Sequence, residues 1–229
     1  MFNNTVKQLF LKDLSRIRIQ WLCYGLLGVA SLIIMAIPLP FFGHAGSIFL
    51  MTVMIAYYCH IVVKLIVIER KEKNELFFMS LPVELKTLRQ AKFFSCLAGF
   101  LLIWLPLAIA TLLLVSSFQN WPAVSLAFYS MIFASFVPGF LVILSVALCQ
   151  KSEGWTIFSL VLSNVSVTVA TNAFPNTPNM KHGFSLGSVV EAGIVWPDGT
   201  STILYATAAL AIGILMLTYF ILRKRPCFI

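Results

Sequence analysis

The stretch Phe93-Phe94-Ser95-Cys96-Leu97-Ala98-Gly99-Phe100-Leu101-Leu102-Ile103-Trp104-Leu105-Pro106-Leu107-Ala108-Ile109-Ala110-Thr111-Leu112-Leu113-Leu114-Val115 contains no Asp, Glu, Lys or Arg. As a helix rising 1.5 Å per residue it would reach about 34 Å, enough to cross the roughly 30 Å hydrocarbon core of a bilayer. The rest of the chain shares its character. Of the 229 residues, 60% are hydrophobic and only 10% charged, and the mean hydropathy is +0.94. A soluble fold so poor in charge could not cover its own surface, whereas lipid removes the need to.

Working outward, six such stretches appear, at about Trp21–Pro38, Ser47–Ile68, Phe93–Val115, Ala123–Cys149, Trp155–Ala173 and Ser201–Leu222. The expected fold is therefore an all-α integral membrane domain over residues 1–229, with six transmembrane helices. Trp21, Trp121, Trp155 and Trp196 stand near span ends, where amphipathic rings favour the interface. Pro106 and Pro138 fall inside the third and fourth spans, and kinks are expected there. Ahead of the first span, Val6, Leu9, Phe10, Leu14 and Ile17 recur at helical spacing. Lys7, Lys12, Asp13, Arg16 and Arg18 mostly occupy other faces, which predicts an interfacial amphipathic helix within residues 1–20.

The net charge of +8 is placed like a membrane protein's and not like a nucleic-acid patch. Cations precede the first span (Lys7, Lys12, Arg16, Arg18), follow the last (Arg223, Lys224, Arg225), and fill the connection after the second (Lys64 to Lys92). Lys181 alone falls in an outward segment. By the positive-inside rule both termini are expected in the cytoplasm, with lipid and no nucleic acid as partner. A cleaved signal peptide is not expected, because no A-x-A-like site follows the first apolar run. The outward connections around Pro38–Gly46 and Ser116–Pro122 are short and uncharged. The third, 174–200, turns at Pro175, Asn176, Pro178 and Asn179 and then becomes apolar from Phe184 to Trp196, with Glu191 isolated inside it. That apolar piece is too short to span and predicts a re-entrant or interfacial segment.

Intramembrane enzymes need particular constellations, and these are missing. The three histidines (His44, His60, His182) accompany no G-x-S-x-G pattern, and the sequence has no H-E-x-x-H, no C-x-x-C and no G-x-x-x-x-G-K-[ST]. The expectation is a chain that is not an enzyme, holds no metal and binds no cofactor. Its five cysteines read as small apolar residues.

The informative connection runs from Glu69 to Lys92. Its charged start meets a break at Ser80-Leu81-Pro82, where Ser80 can cap a second helix and Pro82 fits that helix's first turn. Roughly 24 residues of bent, amphipathic helix far exceed the two to eight that commonly join bundle helices. The shape predicts a cytoplasmic docking element for another protein. In the order E-R-x-E (Glu69, Arg70, Glu72), E-L-F-F (from Glu75), S-L-P-V (Ser80, Leu81, Pro82, Val83) and a basic helix ending at Lys92, the chain resembles the ABC-2 type permeases. These are membrane subunits of type V ATP-binding-cassette exporters, and the nearest branch is that of short peptide or antibiotic exporters. At Lys73-Asn74 it departs from the Gly-Thr that many members carry. The resemblance implies that residues 69–92 form the coupling segment that sits on a separate ATPase subunit. It implies as well a second permease copy or paralogue, with ATP and Mg bound only by the ATPase.

Polar residues inside the spans complete the candidates. Tyr57, His60 and Lys64 share one face of the second span. Lys64 either snorkels to the nearby boundary or lines the inner mouth of a path. Asn164, Thr168 and Asn172 form an i+4 stripe on the fifth span, with Ser159 and Ser163 on the neighbouring one. Such groups either pack between helices or subunits, or line a path. Two other classes stay open: an intramembrane enzyme centred on His60 or Glu191, and a self-contained secondary transporter.

Overall fold

The computed structural model describes residues 4–69, 85–117, 121–150, 152–176, 181 and 194–224. They form seven α-helices: α1 (Asn4–Arg16), α2 (Arg18–Ala36), α3 (Pro40–Val62), α4 (Leu85–Ser117), α5 (Ser125–Cys149), α6 (Glu153–Ala173) and α7 (Thr200–Lys224). A π-helical segment, Val63–Ile68, prolongs α3, and a 3-10 turn, Phe174–Asn176, ends α6. No strand occurs among the described residues. Helices α2 to α7 are the six long and apolar enough to cross a membrane, which makes the chain an all-helical, multi-pass membrane protein.

Where boundaries differ from the sequence reading, local chemistry explains why. The loop expected to run to Gly46 is only three residues long, Ile37 to Leu39. Ile37 and Leu39 each precede a proline and are extended (φ −67°, ψ 125° and φ −125°, ψ 129°), because proline excludes the residue before it from the helical region. Pro40 then opens α3, where its missing N–H costs nothing. Helix α4 starts at Leu85, well before Phe93, so the basic end of the connection and the third span are one helix. α4 and α5 run on through Pro106 and Pro138. Glu191 and the predicted re-entrant stretch up to residue 193 lie outside the described residues. The part beyond it, Ile194 to Pro197, is irregular. Val195 donates a backbone hydrogen bond to the Ala123 carbonyl (2.9 Å), and Gly199 (φ 87°) turns the chain into α7.

α5 is the hub. It packs against α3, α4, α6 and α7, and 56% of the residues across its span are buried, against 17% for α2 and 11% for α7. Phe100 of α4 and Phe140 of α5 stack at 4.2 Å with planes 8° apart, and Phe133, Phe136, Leu141 and Leu144 extend that core. α2 and α3 form a hairpin whose inner side meets α4, while α1 lies along α4. Outer faces stay apolar: Ile19, Leu22 and Leu26 on α2, Val161, Val165 and Val169 on α6, and Leu210, Met216 and Phe220 on α7 are all exposed. In water this surface would aggregate, but in lipid it is solvated.

Candidate functional site

Three groups of described polar residues bear on the candidate site, apart from the Ser145–Thr218 hydroxyl pair that joins α5 to α7. The first lies where α1, the end of α3 and the start of α4 meet. The Lys92 Nζ donates to Asp13 Oδ1 at 2.8 Å and also pairs with the Glu69 carboxylate. Arg16 Nη1 stands 3.6 Å from Glu69 Oε1. Asp13 and Glu69 are only 4% and 5% exposed and Lys92 9%, a degree of burial that charged groups tolerate only when paired. Two carboxylates face two cations, so the group is neutral as a whole.

Each member is aimed by its own element. Asp13 is one turn before Ile17, a fully buried residue where the chain turns from α1 into α2. Glu69 directly follows the π-helical segment. By widening the turn, that segment buries Leu65, Ile66 and Val67 in succession and brings Glu69 inward. Lys92 lies on the buried stripe of α4 with Ser95, Cys96 and Phe100. The cluster therefore holds together the first and last residues of the 69–92 connection and ties both to α1. Arg70, Glu72, Glu75, Ser80, Leu81, Pro82 and Val83 lie outside the described residues.

Asp13 is an exception among the charged residues expected mostly on the other faces of the first helix. With a spacing of three to four from Phe10 and Ile17, Asp13 shares their stripe; it is buried like Ile17, while Phe10 is half-buried. An acid on an apolar stripe is the signal that points to a partner on another helix. Lys92 was legible only as the end of the connection; that it would meet Asp13 was not.

The second group crosses the middle of the molecule. Tyr57 and Tyr58 on α3 are both fully buried and reach in different directions. Tyr57 donates to the Gly99 carbonyl of α4 at 2.5 Å, and Tyr58 donates to Asn164 Oδ1 of α6. Asn164 turns its amide nitrogen to Cys59 Sγ at 3.6 Å. Tyr58 carries this link, and the sequence reading singled out its neighbour instead. Of the predicted stripe on α6, only Asn164 meets another helix. Thr168 and Asn172 are exposed and bond within α6, to the Asn164 and Thr168 carbonyls at 2.9 and 2.8 Å. The buried stripe is the neighbouring one, Thr156, Ser159, Ser163 and Val167. It approaches α5 so closely that a Cβ at Gly139 would stand 2.7 Å from Ser163 Oγ. Asn164→Leu, which strands the buried Tyr58 hydroxyl, is expected to cost about 1–2 kcal/mol. Adding Tyr58→Phe should restore part of the loss, as measured by thermal unfolding in detergent.

The third group joins α2 and α3. Tyr24 Oη lies 3.1 Å from His60 Nδ1, with the ring centroids 5.7 Å apart, and the Tyr24 and Tyr57 rings are 5.3 Å apart. Tyr57 and His60 thus share a face, as their spacing predicts, and Lys64 follows one turn on, half-buried. Among the described residues, no group of three or more His, Cys, Asp or Glu side chains could hold a metal ion.

No family model, curated protein or solved structure matches this chain.

Proposed function

We propose that this chain is the membrane-spanning subunit of an ATP-driven exporter of the ABC-2 permease kind. It would sit in a bacterial cytoplasmic membrane with both termini inside. A second copy or a paralogue would complete the path, and separate ATPase subunits would bind and hydrolyse ATP with Mg. The substrate class that suits an apolar, hydroxyl-dotted interior is an amphipathic peptide, an antibiotic or a lipid-like molecule. The observation that carries this reading is the Glu69-Arg70-x-Glu72 … Ser80-Leu81-Pro82-Val83 pattern in a connection far longer than a linker needs. The ion-pair cluster supports it. A segment that receives force from a motor must be anchored where it enters the membrane, and Asp13, Lys92 and Glu69 join both of its ends to a third helix. Closure of the ATPases would then move α3, α4 and α1 together.

The test is reconstitution with a candidate P-loop ATPase. Leu81→Asp combined with Pro82→Ala, and separately Glu75→Lys, should cut ATPase co-purification at least tenfold and abolish substrate-stimulated hydrolysis. Thermal unfolding of the chain should stay unchanged. Association and transport that survive every substitution would overturn the assignment.

A further inference from the structure

The joint between the second span and the connection after it departs from α geometry. Val63–Ile68 is π-helical, and its two edges are uneven. The Val63 N–H is shared between the Cys59 and His60 carbonyls, while the Glu69 N–H reaches back only three residues, to Ile66. Nothing local forces this. Val62-Val63-Lys64-Leu65-Ile66-Val67-Ile68 contains neither proline nor glycine, the residues that commonly interrupt a helical ladder. π geometry is rare and occurs mostly as single turns, so contacts outside the segment must stabilise it here.

Those contacts follow from where each residue points in the two geometries. Over its six residues a π segment turns about 100° less than an α-helix, because it holds one residue in excess. In an unbroken α-helix Glu69 would stand at i+11 from Tyr58 and i+7 from Val62, on the stripe they share. That stripe faces α5 and α6: the Tyr58 ring meets Phe136 at 6.1 Å, and its hydroxyl donates to Asn164. The π segment turns Glu69 back by about 100°, onto the stripe of Tyr57 and Ile61. This stripe faces α4 and α1, since Tyr57 donates to the Gly99 carbonyl and Ile61 closes on Gly99 beside Ile17. Lys92 and Arg16 stand on that side and pair with Glu69. The two residues before Glu69 carry the same mark. Val67 is 9% exposed and Ile68 37%, whereas unbroken α geometry would turn Ile68 inward beside Ile61 and Val67 outward beside His60, each at i+7.

We propose that Val63–Ile68 is a two-state joint between α3 and the connection that follows. In the observed state the segment is π-helical, and the ion pairs of Glu69 with Lys92 and Arg16 hold it there. In the other state it is α-helical, Val67 and Ile68 exchange burial, and Glu69 swings by about 100° from the α4 side to the α5 side. The α state regains the i→i−4 hydrogen bonds and the π state keeps the ion pairs, so the two gains oppose each other, as a bistable element requires. Lys92 retains Asp13 in both states, so α1 stays docked on α4 while the end of α3 turns. A twist applied to the chain beyond Glu69 acts on this joint first. The inference concerns the joint alone and does not depend on the exporter reading.

Alkylation of Val67→Cys and Ile68→Cys by N-ethylmaleimide, followed by mass spectrometry of the full chain in vesicles, tests it. With Glu69 in place, the thiol at position 68 is expected to react about tenfold faster than the one at position 67, following exposure. Adding Glu69→Leu, which removes the ion pairs and suits the apolar Tyr58–Val62 stripe, should reverse that order. Deletion of Val67 gives a second reading: it removes the excess residue and leaves a plain α-helix with the glutamate still facing Lys92. The shortened chain should unfold within about 3 °C of the unmodified one, and Lys92→Met should destabilise both equally. An order of reactivity that Glu69→Leu leaves unchanged would overturn the proposal. So would a deletion as destabilising as Lys92→Met, because the glutamate would then have lost its partners.

Discussion

Lys92→Met is expected to lower the stability of the folded chain by about 3–5 kcal/mol, the range found when one partner is removed from a buried ion pair. The methionine fills the same volume, so packing is nearly conserved and the loss is electrostatic. Asp13 and Glu69, 4% and 5% exposed, would be left as neighbouring buried carboxylates. Arg16, 3.6 Å from Glu69, is the remaining cation, and none would be left on Asp13 Oδ1. The chain could respond by protonating the acids or by letting α1 peel from α4. Either response should be visible as a fall in unfolding temperature of roughly 6–20 °C, from the usual conversion for a chain of this size. α1 should also become more sensitive to limited proteolysis. Asp13→Asn, Glu69→Gln and Lys92→Met together should recover most of the loss, because neutral groups of similar shape remove the desolvation cost with the attraction. A single Lys92→Met variant that unfolds within a degree of the unmodified chain would show that the cluster does not hold these helices together.

Gly46→Ala is expected to cost about 1–3 kcal/mol, the penalty of forcing a methyl group into a packed contact. A Cβ there would stand 2.6 Å from Met35 Cγ, 2.7 Å from the Met35 backbone nitrogen and 3.0 Å from the Ser31 carbonyl oxygen. The methionine side chain can rotate away, but the two backbone atoms cannot. α2 and α3 would have to separate at the tight end of their hairpin, which also carries Gly43 against Trp121, where a Cβ would come within 3.2 Å of the indole. Gly213→Ala on α7 is the control, since a Cβ there meets nothing within 4 Å. Helix propensity favours alanine at both positions by up to about 1 kcal/mol, so only the close approach of two helices can give the substitutions opposite signs. Thermal unfolding of the two variants side by side measures the difference. Equal stability would mean that the hairpin packs more loosely than its geometry implies.

The two substitutions also mark what sequence reading reaches. The run from Phe93 to Val115 and its five counterparts are set by composition and length alone, because a bilayer demands about twenty apolar residues and accepts few charges. The turn at Ile37-Pro38-Leu39-Pro40 was also readable, since each proline constrains the residue before it. It was read too long because a short uncharged stretch, Phe41 to Gly46, looks like a loop until the need to satisfy its backbone draws it into α3. For the candidate sites, spacing correctly put Tyr57 and His60 on one face and Ser159 and Ser163 on another.

Periodicity on a single helix says which residues share a face, and so the sequence by itself determined the number of spans, their approximate ends and the grouping of their polar side chains. What each face meets depends on how helices far apart in the chain come together, and that information is distributed over every side chain at the contacts. Only the tertiary structure decided that Asp13 answers Lys92, that Tyr58 and not Tyr57 reaches Asn164, and that α5 is the hub. A helix's own pattern is local, whereas the partner of a buried charge is chosen by packing.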